Sequence, residues 1–252
     1  MSQLSRLLRG ANKIAMIARS LSGGRLIDPV EVFYEPALNR VHPILSKSGN
    51  STLKLKLIQQ YAPDYRAKFP GIHLADPGEI TDSQLVQHVF HYYADYVAFC
   101  RNKRVRIVVR NPYERYYSFF TGVRTGRNIL YLHPYGLGSI FRLTAERSWP
   151  SLLRQVCLTP DVIADRHFRS QSYYLTPALR RAAASVEILD MPTYLTVKDM
   201  ADGADRLNVT DRDMPAKLRH GLEQHRGFQR RYRNDLLLYR NRTILPSPFS
   251  KY

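Results

Sequence analysis

A run of small and hydroxyl-bearing residues follows an apolar segment early in the chain, and its composition suits phosphate binding. The apolar segment is residues 41–45, and residues 46–52 read Ser-Lys-Ser-Gly-Asn-Ser-Thr. When such a turn leads from a strand into a helix, backbone N–H groups and the helix dipole favour an anion. Lys47 adds a positive charge, and hydroxyl donors come from Ser48, Ser51 and Thr52. Because Lys47 precedes the only glycine of the run, the pattern differs from the Walker A loop and disfavours an ATPase or kinase of that class.

A second set of candidate residues follows the apolar run 105–109. Arg110 stands at the end of this predicted strand, where a guanidinium can hold a phosphate through two parallel hydrogen bonds. Asn111-Pro112 breaks the strand, and Ser118 lies on the helix that follows, where it can share the same anion. Two anion sites on two strands predict a ligand that carries two separated anionic groups.

The elements that position these residues alternate between strand and helix. The patterns predict strands at 40–45, 105–109, 186–190 and 193–197. They predict helices at 1–21, 51–61, 81–99, 112–122, 145–157, 178–184, 198–207 and 215–239, with irregular chain at 63–80 and 123–144. Thr81, with Gln84 three positions later, suggests a capping box that opens the helix 81–99. This order indicates an α/β fold with a central parallel sheet flanked by helices. Ligands in such sheets bind beyond the carboxyl ends of the strands, where Lys47 and Arg110 both lie.

The charge of the chain is strongly positive. Its 252 residues include 38 Lys and Arg against 21 Asp and Glu, which gives a net charge of +17. Residues 101–127 hold eight basic side chains and one acidic one, and residues 215–252 hold nine basic and two acidic ones. Such clusters favour a polyanionic partner, although a solvated helix face would also explain the C-terminal arginines. The chain contains two cysteines, too few for a disulfide framework, so a reducing compartment is expected.

The chain divides into an N-terminal segment and one larger domain. Residues 1–25 predict an amphipathic basic helix, and residues 26–252 predict a single domain. No apolar run approaches the roughly 20 residues needed to cross a bilayer. The basic helix is expected to pack on the domain, while contact with an anionic membrane surface and organelle targeting remain the alternatives. The expected location is cytoplasmic, with the inner face of the membrane as a peripheral contact.

Four segments together resemble sulfotransferases that use 3′-phosphoadenosine 5′-phosphosulfate (PAPS). Residues 47–53 are similar to the 5′-phosphosulfate loop, P-K-[SV]-G-[ST]-T-[TS], and residues 110–118 to the 3′-phosphate motif, R-D-P-x-x-R-x-x-S. Residues 165–171 are similar to the D-x-H-W-x-P-Q segment of the carbohydrate branch, and residues 194–200 to a junction that usually carries E-D-L. The chain departs from these patterns at Ser46 (usually Pro), Asn111 (Asp), Phe168 (Trp) and Ser170 (Pro).

The resemblance implies a P-loop-like sulfotransferase fold, with PAPS as co-substrate and no metal. It implies transfer of a sulfuryl group to a hydroxyl of a carbohydrate or glycolipid acceptor. Lys47 would meet the charge that develops on the leaving 5′-phosphate, with Ser48, Gly49, Asn50, Ser51 and Thr52 as its cradle. Arg110 and Ser118 would anchor the 3′-phosphate.

The acceptor hydroxyl also needs a base that works near neutral pH, and histidine is the natural choice. His88 is the first candidate, on the predicted helix 81–99 with His91 on the same face, and His167 is the second. His91 ranks third, and Glu79 or Asp95 would serve if the base is a carboxylate. A structural role is an alternative for each histidine, and pairing with Glu114 is one for Arg115.

A different class of function fits part of this pattern. A non-catalytic basic protein on the same fold, binding a polysaccharide or nucleic acid, would account for the charge but leave the two anion loops unexplained. No helix-turn-helix, zinc finger or aromatic-sheet motif is present, so a nucleic-acid partner is not expected.

Overall fold

The fold is α/β, with a five-stranded mixed sheet flanked by helices. The computed structural model describes Ala15, Ala18 and residues 22–67, 71–125, 148–194 and 214–242. The strands are β1 (Arg25–Glu35), β2 (Arg40–Pro43), β3 (Val86–Tyr92), β4 (Arg104–Val109) and β5 (Ser185–Asp190). They lie side by side in the order β3-β1-β2-β4-β5.

The sheet is parallel on one side only, which corrects the prediction of a parallel sheet. Strand β2 pairs in parallel with β4, and β4 pairs in parallel with β5 over its whole length. Strand β1 is antiparallel to both of its neighbours, β2 and β3. The carboxyl ends of β2, β4 and β5 therefore lie at one edge of the sheet. The N-terminal half of the antiparallel strand β1 extends past this edge.

Strand β1 was not predicted from the sequence. Asp28-Pro29 interrupts its apolar pattern, and the pairing with β3 shifts register between Arg25 and Val30. Proline donates no ladder hydrogen bond, so its presence argues against a central strand. The irregularity accommodates Pro29 while Val30 and Val32 stay fully buried.

The helices are short and pack on both faces of the sheet. They are α1 (Asn50–Gln59), α2 (Pro77–Ile80), α3 (Tyr93–Phe99), α4 (Pro112–Arg124), α5 (Trp149–Leu158), α6 (Pro177–Ala182), α7 (Met191–Tyr194), α8 (Ala216–Gln224), α9 (Arg226–Arg231) and α10 (Arg233–Arg240). Short 3₁₀ turns lie at Pro36–Leu38, Gly71–His73, Asp161–Ile163 and Gln171–Leu175. The helices predicted to follow the two anion loops are confirmed as α1 and α4.

The helix predicted over 81–99 is wrong in its first half. Residues 86–92 form strand β3, and only Tyr93–Phe99 is helical. Thr81 does not cap a helix here, because its hydroxyl donates to the Pro77 carbonyl at 2.6 Å and accepts from the Leu85 N–H at 3.0 Å. The hydroxyl closes a turn, and the chain leaves that turn extended.

Two further predictions in the C-terminal half need correction. The single helix predicted over 215–239 is three helices, separated at His225 and Tyr232. The strand predicted over 193–197 begins as the end of α7, and its remainder lies outside the described residues with the helix predicted at 198–207. Most of the predicted N-terminal helix and of the irregular segment 123–144 also lies outside them.

Two apolar layers cover the two faces of the sheet. Strand β4 contributes to both, since Val105, Ile107 and Val109 face one layer and Val108 faces the other. Helix α1 packs on the Val108 face through Leu53, Leu57 and Ile58. A third cluster joins α4, α5 and α9. These layers fix the loops after β2 and β4 at one edge of the sheet.

Candidate functional site

The loop between β2 and α1 has the sharp backbone that an anion cradle requires. Lys47 and Gly49 both have positive φ, 63° and 72°. Glycine adopts this conformation without strain, whereas lysine does so rarely. Helix α1 then begins at Asn50, where the Ser51 N–H donates to Asn50 Oδ1 at 2.9 Å and the Leu53 N–H donates to the Gly49 carbonyl at 2.8 Å. The loop therefore presents a lysine and the positive end of a helix together.

A single amide joins this loop to the end of β4. Gln171 is fully buried, and its Oε1 accepts from the Ser48 hydroxyl at 3.1 Å and from the Arg110 N–H at 2.9 Å. Its Nε2 donates to the Arg110 carbonyl at 2.8 Å. Gln171 is the last residue of the third of the four sequence segments, so one side chain connects the first three.

Arg115 makes a second connection among the same segments. Its guanidinium donates to the Ser46 carbonyl through Nε and to the Arg166 carbonyl through Nη2, each at 3.0 Å. The residue is 3% exposed, so both bonds are shielded from water. The expected alternative, pairing of Arg115 with Glu114, is not seen. Arg115 holds the loop backbone instead.

Arg110 lies at the predicted position, directly after β4. Its Nε is buried and makes no hydrogen bond among the described residues, with a Glu114 carboxylate oxygen 3.6 Å away. Burial lowers the pKa of Arg110, and the nearby Arg115 lowers it further. Asn111 keeps the capping function of the aspartate that usually stands there, since its Oδ1 accepts from the Tyr113 N–H at 3.0 Å. Ser118 lies on the buried face of α4.

A buried ion network supports the other side of the loop. Glu31 on β1 contacts the ammonium group of Lys54 on α1 and accepts from Arg166 Nη1 at 3.3 Å. Arg166 also donates to Asp28 through Nε at 2.8 Å. Each of the two carboxylates is less than a tenth exposed, and each is paired, as burial of a charge requires.

His73 enters the site from a part of the sequence that predicted only a loop. Its Nε2 lies 3.0 Å from the hydroxyl oxygen of Ser51, in the first turn of α1. Burial lowers the pKa of His73 to about 4, and the positive charges of Lys54 and Arg166 act in the same direction. A lone histidine among prolines and glycines has no periodic signal, so only the folded chain reveals this contact.

His167 lies next to the same cluster. Its Nδ1 is 2.6 Å from a carboxylate oxygen of Asp165, which also accepts from the His167 backbone N–H at 2.8 Å. The ring is close enough to affect the pKa of His73 electrostatically. The structure therefore places His167 beside the loop, held by its own segment.

The structure does not bring the first base candidate, His88, to the loop. His88 is paired with Val32 in the β1–β3 register, so it shares the sheet face that lies opposite α1. Its ring packs 4.6 Å from that of Phe99, centroid to centroid. On a strand, residues three positions apart lie on opposite faces. His91 and His88 therefore do not share a face, as they would on the predicted helix. His91, Glu79 and Asp95 are all exposed.

The site is thus an edge of the sheet at which five cationic side chains come together, two of them paired with Asp28 and Glu31. Its cations are those of Lys47, Lys54, Arg110, Arg115 and Arg166. Oriented cations and N–H groups of this kind stabilise an anionic ligand and the charge that develops on a leaving phosphate.

Among the described residues, no group of three or more His, Cys, Asp or Glu side chains could hold a metal ion. Within those same ranges, no helix is long and apolar enough to cross a membrane.

Comparison with known proteins adds no family to this description: no family model, curated protein or solved structure matches the chain.

Proposed function

We propose that the protein is a sulfotransferase on a P-loop-like fold, which moves a sulfuryl group from PAPS to a hydroxyl of a carbohydrate or glycolipid. One observation carries the proposal. Gln171 bonds to both Ser48 and Arg110, so the three segments that resemble the nucleotide and acceptor motifs lie around one point. The resemblance concerns the order of residues along the chain, whereas the hydrogen bonds of Gln171 depend on the positions of residues in space. The two are therefore separate lines of support.

The chain's own residues suit the two ends of such a nucleotide. Lys47 and the N-terminus of α1 would hold the 5′-phosphosulfate, and Ser48, Gly49, Asn50, Ser51 and Thr52 would form its cradle. Arg110 and Ser118 would bind the 3′-phosphate. Fixing both phosphates orients the sulfur for in-line attack by the acceptor oxygen. Contact of residues 1–25 with an anionic membrane stays a prediction, since most of them lie outside the described ranges.

Calorimetric titration with 3′-phosphoadenosine 5′-phosphate tests the nucleotide site without an acceptor. We expect stoichiometric micromolar binding at physiological salt, weakened at least tenfold by Lys47→Ala and by Arg110→Ala. The matched controls are Lys217→Ala and Arg101→Ala, which remove the same charges from exposed positions. Weak binding that AMP matches and salt abolishes would contradict the proposal and favour a non-catalytic polyanion-binding protein.

A further inference from the structure

We propose that His73, in contact with Ser51, takes the proton of the attacking acceptor hydroxyl. This inference rests on the proposed function. It assigns the proton transfer to a residue that neither the sequence patterns nor the resemblance indicated, in place of His88 and ahead of His167.

The position of the His73 ring is fixed by packing. His73 ends the 3₁₀ turn Gly71–His73, whose middle residue, Ile72, is 1% exposed and belongs to the apolar layer under α1. The turn is closed by bonds from the Leu74 and Ala75 N–H groups to the Gly71 carbonyl, at 2.9 and 3.1 Å. A buried anchor and two backbone bonds hold the imidazole against Ser51, as a proton acceptor requires.

Ser51 is the group through which the ring reaches the reacting atoms. It lies in the first turn of α1, inside the segment proposed to cradle the 5′-phosphosulfate, and its hydroxyl oxygen is 3.0 Å from His73 Nε2. A hydroxyl and an imidazole at this distance form the pair that moves protons in many transferases and hydrolases. His73 contacts a residue of this segment directly, whereas His167 is hydrogen-bonded to Asp165 of its own segment.

Charged and titratable groups on three parts of the chain act on the ring. Lys54 faces it from α1, Glu31 from β1, and Arg166 and His167 from the loop after α5. Burial and the cations keep the imidazole neutral at pH 7, so it is able to accept a proton. A bound nucleotide would offset these cations with its own negative charges, which would raise the proton affinity of His73 when the donor is in place.

The step balances in atoms and electrons. The acceptor oxygen forms a bond to sulfur, and the bond between sulfur and the 5′-phosphate oxygen breaks, with its electron pair remaining on the phosphate. The acceptor proton passes to Ser51 Oγ as the Ser51 proton passes to His73 Nε2. The products are the sulfated acceptor, 3′-phosphoadenosine 5′-phosphate and a protonated His73, which returns its proton to water.

Release of sulfate from labelled PAPS, with water as the acceptor, tests the step without knowledge of the natural acceptor. We expect His73→Gln to lower kcat about 100-fold at saturating PAPS, with the affinity for 3′-phosphoadenosine 5′-phosphate within about twofold of wild type. Ser51→Ala should lower kcat similarly, and the double variant should be no slower than either single one. His220→Gln, at an exposed position, is the matched control.

The pH profile separates proton transfer from a structural role. The wild-type kcat should fall at acidic pH as His73 becomes protonated, and His73→Gln should lack that limb. Histidine NMR should show the His73 resonance titrating near pH 4 in the free protein and higher with nucleotide bound.

Three results would overturn the inference. They are an unchanged kcat in His73→Gln, loss of the acid limb in His167→Gln instead, or a His73 resonance that nucleotide binding leaves unmoved. Nucleotide binding by wild type distinguishes this failure from failure of the proposed function, which would abolish that binding as well.

Discussion

The pKa of His73 differs between the folded and the unfolded chain, so this residue makes the stability of the protein depend on pH. Its pKa is about 4 in the folded protein, against an ordinary value of 6.5. Between these values the unfolded chain binds more protons than the folded one, so the free energy of unfolding falls as the pH falls. The slope for one such group is at most about 1.4 kcal/mol per pH unit. The fully buried His42, whose pKa burial also lowers, acts in the same direction.

Urea denaturation at pH 5 and pH 7 measures this contribution. We expect His73→Gln to reduce the difference in unfolding free energy between the two pH values by roughly 1–2 kcal/mol. The exposed His220→Gln should leave it unchanged. An equal pH dependence in wild type and His73→Gln would show that the ring is not held neutral in the folded state.

Individual site residues could be predicted from the sequence where neighbouring residues serve the same function. Lys47 and Ser48 stand in a run of hydroxyl-bearing residues, and Arg110 follows an unmistakable buried strand, so local pattern was sufficient for each. Gln171 was included only through its motif, and its three bonds depend on contacts more than 60 residues away. His73 had no such signal, because its role arises from a contact with α1 that only folding creates.

At the scale of elements, local pattern located the buried parallel strands and missed the antiparallel ones. Strand β4 is a continuous apolar run, which a strand covered on both faces requires. Strand β3 has no buried residue, and its Val89 and Tyr92 are exposed. Its identity depends on pairing with β1, which itself contains Pro29. A capping signal at Thr81 therefore outweighed the strand pattern, and His88 was assigned to the wrong element.

Helix α10 is short, but it binds the backbone of the segment that contains Gln171. Asp235, in its first turn, accepts from the Gln171 and Ser172 N–H groups at 2.8 Å each and from the Ser172 hydroxyl at 2.6 Å. The carboxylate is 1% exposed, and burial raises its pKa even though these donors lower it. Helix α10 thus orients the backbone of Gln171, whose side chain joins the two anion loops.

Replacement of Asp235 by asparagine should therefore loosen the site as well as the fold. The amide turns one donor toward N–H groups that need an acceptor, so we expect a loss of about 2 kcal/mol in unfolding free energy. The affinity for 3′-phosphoadenosine 5′-phosphate should fall with it. Denaturation and calorimetry check both effects, with the exposed Asp64→Asn as control. Equal stability of the two variants would contradict the proposed role of α10.

The positive charge of the whole molecule extends beyond the proposed nucleotide site. A groove of about 530 Å³ runs along α9 and α10, lined by Gln229, Arg230, Arg233, Leu236, Leu237 and Arg240. Its three arginines are exposed, and Leu237 between them is 45% exposed. Arginine planes beside an apolar strip suit a polymer that carries regular negative charge and apolar sugar faces. An acidic polysaccharide, which would belong to the proposed class of acceptors, has these properties.

The groove predicts a salt-dependent affinity for such a polymer that is separable from the nucleotide site. Conversion of Arg230, Arg233 and Arg240 to glutamine should weaken binding of an acidic oligosaccharide at least tenfold near 50 mM salt and flatten its salt dependence, because screening then has fewer charges to act on. The matched control converts Arg101, Arg154 and Arg181, which are also exposed but lie outside α9 and α10. If both triple variants weakened binding equally, overall charge would account for the affinity. If only the groove variant did so and nucleotide affinity were unchanged, the acceptor would bind along α9 and α10 while its reacting hydroxyl reached the loop after β2.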